Sequence, residues 1–141
     1  MHSVAGPLAG SNLPTLRVEH TTWENWKNRY PDTAVLSFQT GYNRDYNRDP
    51  YRDLPMNRQE AAAVFIGEAV KLYPLSELGK AGGVVEDVVD GKGLRLHYDR
   101  QNRRLSIQSE TGETVKHFVA FFADLRAFYP IAERFQLRNT H

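Results

Sequence analysis

VVEDVVDGKGLRLHYDRQNRRLSIQS, residues 84–109, is the stretch from which the fold is read. Its first six residues, four β-branched valines around Glu86-Asp87, read as a strand. Asp90-Gly91-Lys92-Gly93 then supplies turn residues. In the next run Leu94, Leu96 and Tyr98 point one way, while Arg95, His97 and Asp99 point the other. Strict alternation of this kind predicts strands with one buried and one wet face, the signature of an antiparallel sheet. Residues 100–103 reverse the chain into a further strand with Leu105 and Ile107 inward. Upstream, residues 63–66 and 69–72 flank Gly67-Glu68, a two-residue hairpin turn.

Helical spacing appears at both ends of this β-rich region. Thr21 and Glu24 have capping-box spacing, so a helix starts at Thr21 or Thr22. Trp23, Trp26 and Tyr30 then follow on one face, and Pro31 stops the run. Near the other end Phe118, Phe122, Leu125 and Tyr129 recur at helical steps, with Phe121 and Phe128 widening the stripe and Pro130 ending it. The two segments share the layout aromatic-x-x-apolar-x-x-x-Tyr-Pro, so each reads as an aromatic helix covering a sheet or as half of a diverged duplication. Residues 34–38 predict a buried strand, and residues 74–78 a short helix capped by Gly79. The expected fold is therefore α+β: an antiparallel sheet of about five strands covered by two aromatic-rich helices. One domain is expected over residues 1–141. Residues 1–14 are irregular, 15–60 hold a helix, a strand and a long loop, 61–130 a β meander and terminal helix, and 131–141 a tail.

Composition narrows the function. Eighteen basic residues against seventeen acidic ones provide no global field for nucleic acid, so no nucleic-acid partner is expected. Arg95, Arg100, Arg103 and Arg104 are a local basic exception on a hairpin, read as a solvated turn or an anion contact. There are no cysteines, which removes thiol nucleophiles, disulfides and thiolate metal sites. No apolar run reaches the roughly 20 residues of a membrane span, and the amino end lacks the pattern of a signal peptide. Neither compartment nor oligomeric state follows from composition.

The densest polar pattern is TGYNRDYNRDPYRD, residues 40–53. If it is extended, Tyr42, Arg44, Tyr46 and Arg48 share one side, opposite Asn43, Asp45, Asn47 and Asp49. The first side suits a carboxylate, phosphate or sugar acid, because guanidinium forks bind paired oxygens. If the segment is helical, Asp45–Arg48 and Asp49–Arg52 become ion pairs three residues apart. A third reading makes the Arg-Asp pairs a lock that pins a long loop. A calcium loop fits poorly, because Arg48 stands where glycine belongs and Leu54 where glutamate belongs. His97, on the polar strand face near Asp99 and the carboxylates Glu86 and Asp87, completes the candidate ligand-binding set of Tyr42, Arg44, Tyr46, Arg48 and His97. Glu86 and Asp87 are also weighed as an acid/base pair. No nucleophile elbow, phosphate loop or dinucleotide fingerprint is present, and no catalytic residue, metal set or cofactor is assigned.

These motifs resemble the bacterial family called domain of unknown function 3179. The resemblance lies in Gly6-Pro7-Leu8-Ala9-Gly10, Thr22-Trp23-x-x-Trp26, Tyr30-Pro31-Asp32-Thr33-x-Val35-Leu36-Ser37 and above all the TGYxRDYxRDPY string from Thr40 to Tyr51. It continues through Tyr73-Pro74-Leu75-Ser76, Ala81-Gly82-Gly83-Val84-Val85-Glu86-Asp87 and Leu96-His97-Tyr98-Asp99. The resemblance implies longer members built of two related halves, the first with a Tyr-Cys-Pro-x-x-Cys stretch. Here that place reads Tyr98-Asp99-Arg100, so no thiol role carries over and the chain looks like the later half alone. The family has no activity to transfer. The functional expectation is a non-catalytic binding or interaction module, its Arg-Asp-Tyr loop mainly structural, with a small anionic ligand or a protein as its partner. The alternative is an enzyme or a site for a small anionic ligand centred on that loop.

Overall fold

The computed structural model describes residues 5–11, 18–37, 39, 41, 47–48, 52 and 58–137. Among these the element order is α1 (Trp23–Arg29), β1 (Glu60–Ile66), β2 (Ala69–Pro74), α2 (Leu75–Lys80), β3 (Val84–Val89), β4 (Lys92–Asp99), β5 (Arg104–Ser109), β6 (His117–Phe121), α3 (Phe122–Phe128) and β7 (Glu133–Arg134). The α+β class is as expected, but the single five-stranded sheet is not. The strands form two sheets, a four-stranded one in the order β6-β1-β2-β7 and a three-stranded meander, β3-β4-β5.

The two sheets are built differently because they bury different numbers of faces. In β4, Leu94 and Leu96 are buried between exposed Arg95 and His97, as alternation requires. β1 is instead almost wholly apolar. Ala62, Val64 and Ile66 face the three-stranded sheet and α2, packing with Tyr73, Leu78, Leu96 and Ile107. Ala61 and Ala63 face the opposite side, with Leu72, Leu125 of α3 and Ala132. The four-stranded sheet is thus the middle layer, with its small alanines leaving room for bulkier neighbours.

The turns are set by local chemistry. Ile66 pairs directly with Ala69, confirming the Gly67-Glu68 hairpin. Val89 pairs with Lys92, so the turn after β3 is only Asp90-Gly91; both residues have positive φ (47° and 72°), as a type I′ turn demands. Gly83 has φ 84°, and a Cβ there would lie 2.6 Å from the Tyr98 carbonyl oxygen, so only glycine fits where the exit of α2 meets β4.

Four further expectations are corrected. Residues 33–37 are exposed and form no strand, so the predicted strand at 34–38 is absent as far as it is described. The aromatic stripe starting at Phe118 is not one helix. His117–Phe121 pairs with β1 as a strand, and the helix begins at Phe122, because the carbonyl of Gln59 and the edge of β1 hold this backbone extended up to that point. The tail supplies β7, whose Lys71↔Glu133 and Leu72↔Arg134 pairs run parallel to β2. Finally, α1 buries no residue, and Trp23 is 51% exposed, so it does not cover a sheet. Its start is tied instead to the β4–β5 turn: the Thr22 N–H and the Thr21 hydroxyl both donate to the Asn102 carbonyl at 3.0 Å.

Candidate functional site

Of the sequence-derived set, Tyr42, Arg44 and Tyr46 lie outside the described residues. Arg48 is described and exposed. His97 sits on the outward face of β4, exposed, with Val84 and Ser106 as its strand neighbours. No contact among the described residues joins Arg48 to His97. Asp99 is occupied as a turn lock: its two carboxylate oxygens accept from the Asn102 backbone N–H (3.0 Å) and the Asn102 amide (2.7 Å). Those hydrogen bonds hold its carboxyl below the ordinary range.

The Glu86–Asp87 pair is divided by the pleat. Glu86 points outward and pairs with Arg95 at 2.6 Å on the next strand. Asp87 points inward, in phase with Val85 and Val89. There its Oδ2 accepts from the Tyr73 hydroxyl at 2.8 Å and pairs with Lys71 Nζ at 2.7 Å, while Oδ1 accepts from the Val88 N–H at 2.8 Å. Lys71 also reaches Glu133 at 3.6 Å, and the fully buried Tyr73 ring stacks on Phe135 with centroids 5.3 Å apart.

This cluster ties β2 of one sheet to β3 of the other and to β7. Burial works to raise the Asp87 carboxyl, but the bonds from Lys71, Tyr73 and Val88 outweigh it and leave it below its usual value. Burial, reinforced by the bond to Asp87, pushes the Tyr73 phenol well above its own. Asp87 is thus kept charged and Tyr73 kept protonated, which suits a polar clasp rather than a proton donor working near neutrality. The sequence does contain the signal for it: Asp87 occupies the inward phase of Val85-x-Asp87-x-Val89, and a carboxylate there requires a partner.

Two of the clefts on the described surface contrast. One, of about 760 Å³, lies where the β1–β2 and β3–β4 turns meet the α3–β7 turn. Phe65, Val70 and Val89 form apolar lining, Phe128 and Ile131 stand at 80% and 96% exposure, and Glu68, Asp90 and Glu133 add acidic groups. The other, of about 380 Å³, lies between α2, the β4–β5 turn and the approach to β1, with Lys80 and Arg100 set beside Glu60 and an apolar wall that includes Leu75. Of the hairpin arginines, Arg95 pairs with Glu86, Arg103 with Glu60 and Arg104 with Glu19. Among the described residues no cluster of three or more His, Asp or Glu side chains is placed to hold a metal, and no helix is long and apolar enough to cross a membrane.

No curated protein and no solved structure matches the chain. A family model does, that of the protein of unknown function DUF3179, over residues 1–137, and the chain belongs to that family.

Proposed function

We propose that the protein is a binding module that engages a protein partner at the α3–β7 corner. The observation that carries this is the apolar cleft beside Phe128 and Ile131, with Glu68, Asp90 and Glu133 among its lining. Two large apolar side chains left in water at one corner mark an interaction surface. The acidic groups around them favour a partner segment that carries an apolar anchor flanked by lysine or arginine. The test uses two synthetic amphipathic peptides, one of leucine and lysine and one of leucine and glutamate. The lysine peptide binds, the glutamate peptide does not, and the double variant Phe128→Asp, Ile131→Asp weakens binding while keeping its thermal midpoint. Equal binding of both peptides, or no effect of the double variant, defeats this reading.

In the same reading the Arg-Asp-Tyr loop is a structural lock. The support is the habit of arginines elsewhere in the chain, where Arg29 and Arg104 share Glu19 and Arg103 takes Glu60. A second reading places a small anionic ligand on Tyr42, Arg44, Tyr46, Arg48 and His97, favoured by the exposed Arg48 guanidinium. A thermal-shift screen of phosphates, sugar acids and divalent metals on the parent, Arg44→Ala and Arg48→Ala separates the two. Ligand stabilisation lost in both folded variants supports the site. No ligand response, together with lowered midpoints in both variants, supports the lock.

A further inference from the structure

We infer that the cleft between α2, the β4–β5 turn and the approach to β1 is a binding site for a small oxyanion, a carboxylate or phosphate group, gripped by Arg100. It shares no lining residue with the apolar corner. Arg100 is the one hairpin arginine for which the described residues supply no carboxylate, and it lines the cleft together with Lys80. Lys80 is paired with Glu77 at 2.8 Å, and its exposed ammonium retains further donors. Glu60 also borders the cleft, but its charge is met by Arg103. The Ser76 hydroxyl accepts from the Gln59 amide at 2.9 Å, which leaves its own proton free to donate into the cleft. A guanidinium fork, an ammonium and a hydroxyl around about 380 Å³ match an anion of one or two oxyanion groups.

Gly79 is the second, independent observation. It stands in the last turn of α2 without a positive φ, a place where alanine is the better helix former. A Cβ there would meet only Arg100 Cδ, at 3.8 Å, an ordinary contact, so packing does not call for glycine. What glycine does is keep the cleft wall bare beside the Arg100 side chain. A residue chosen against local preference, with no packing reason, fits a site where something must approach the backbone closely.

The test is titration calorimetry at low ionic strength with inorganic phosphate and with succinate, which separates the phosphate from the carboxylate source. At least one probe binds saturably. Arg100→Gln weakens it about tenfold or more, the equivalent of ~1.4 kcal/mol. Gly79→Ala weakens it as well while raising the thermal midpoint, so lost binding cannot be put down to lost folding. Arg44→Ala and Arg48→Ala leave it unchanged. Failure of both probes to saturate overturns the proposal. So does binding that survives both Arg100→Gln and Gly79→Ala, and so does binding abolished by the loop variants instead.

Discussion

The helices α1 and α3 are near copies in sequence layout and backbone, yet they meet opposite fates. Each has seven residues and ends at a tyrosine followed by proline, with Tyr30 at φ −135°, ψ 73° and Tyr129 at φ −127°, ψ 68°. Each tyrosine N–H closes onto the carbonyl four residues back, and each tyrosine carbonyl accepts from the residue three on, Thr33 or Ala132, at 3.1 Å. But α3 buries Leu125 to 2% exposure with Phe122 and Tyr129 beside it, while α1 buries nothing. Their starts explain why. Thr22 caps α1 with its own side chain, accepting from the Asn25 N–H at 3.3 Å. α3 has no side-chain cap; its first N–H donates to the Gln59 carbonyl at 2.7 Å, straight out of strand β6. α1 is capped by its own threonine and hangs from the β4–β5 turn at Asn102, whereas α3 is launched by the sheet it then covers. The same helical signal therefore says nothing about burial.

The largest expected difference between them is a pair of truncations. Leu125→Ala should cost ~2–5 kcal/mol in urea unfolding, as a buried leucine does. Trp26→Ala should cost about 1 kcal/mol, the scale of its ring contact with Tyr30 at 4.5 Å, because its helix has no buried face. Equal costs would show that α1 is covered in solution.

Next comes the clasp, on the face of the four-stranded sheet turned away from α3. Asp87→Asn should cost ~1.5–3 kcal/mol, the range for hydrogen bonds to a charged group. Its folded carboxyl titrates below the unfolded value of about 3.9, so its contribution is present above that pH and lost as pH falls through the folded value. Tyr73, raised by burial, contributes below about pH 10 and loses that contribution as pH rises further. Stability measured against pH should therefore lose part of its acid slope in Asp87→Asn and part of its alkaline slope in Tyr73→Phe. Unchanged slopes would remove the clasp from the folding balance.

Smaller again is the cap. Thr22→Ala should cost α1 about 1 kcal/mol. Trp23 and Trp26 are the chain's two tryptophans, so their fluorescence reports on α1 alone. In urea that signal should change at lower denaturant than the far-ultraviolet signal of the sheets, and Thr22→Ala should widen the gap. Coincident transitions would join α1 to the core. The smallest effect has the opposite sign: Gly79→Ala, in α2, should stabilise by ~0.5–1 kcal/mol.

The β4 alternation of Leu94, Leu96 and Tyr98 against Arg95, His97 and Asp99 was readable because period two is enforced by the pleat itself. The Gly67-Glu68 and Asp90-Gly91 turns were readable for a similar reason, since few residues tolerate their dihedral angles. The two-sheet split was not. The apolar run of β1 satisfies a buried strand in one sheet or in two, and only its neighbours decide. The stripe at Phe118, Phe122, Leu125 and Tyr129 misled because residues 118–121 happen to suit helical spacing while the edge of β1 claims their backbone. For the candidate site, the inward phase of Asp87 was visible, yet its partners Lys71, Tyr73 and Glu133 come from β2 and β7, remote in sequence. The bareness of the wall at Gly79 depends on where Arg100 lies.

Residue order alone thus fixed what is local: the α+β class, the hairpins, the Tyr-Pro helix ends and the motifs of the family. Whether an apolar stripe is buried, whether a carboxylate faces water or a lysine, and which hairpin arginine meets no carboxylate among the described residues required the folded chain. Those properties come from contacts between segments tens of residues apart, and short-range periodicity carries no record of them.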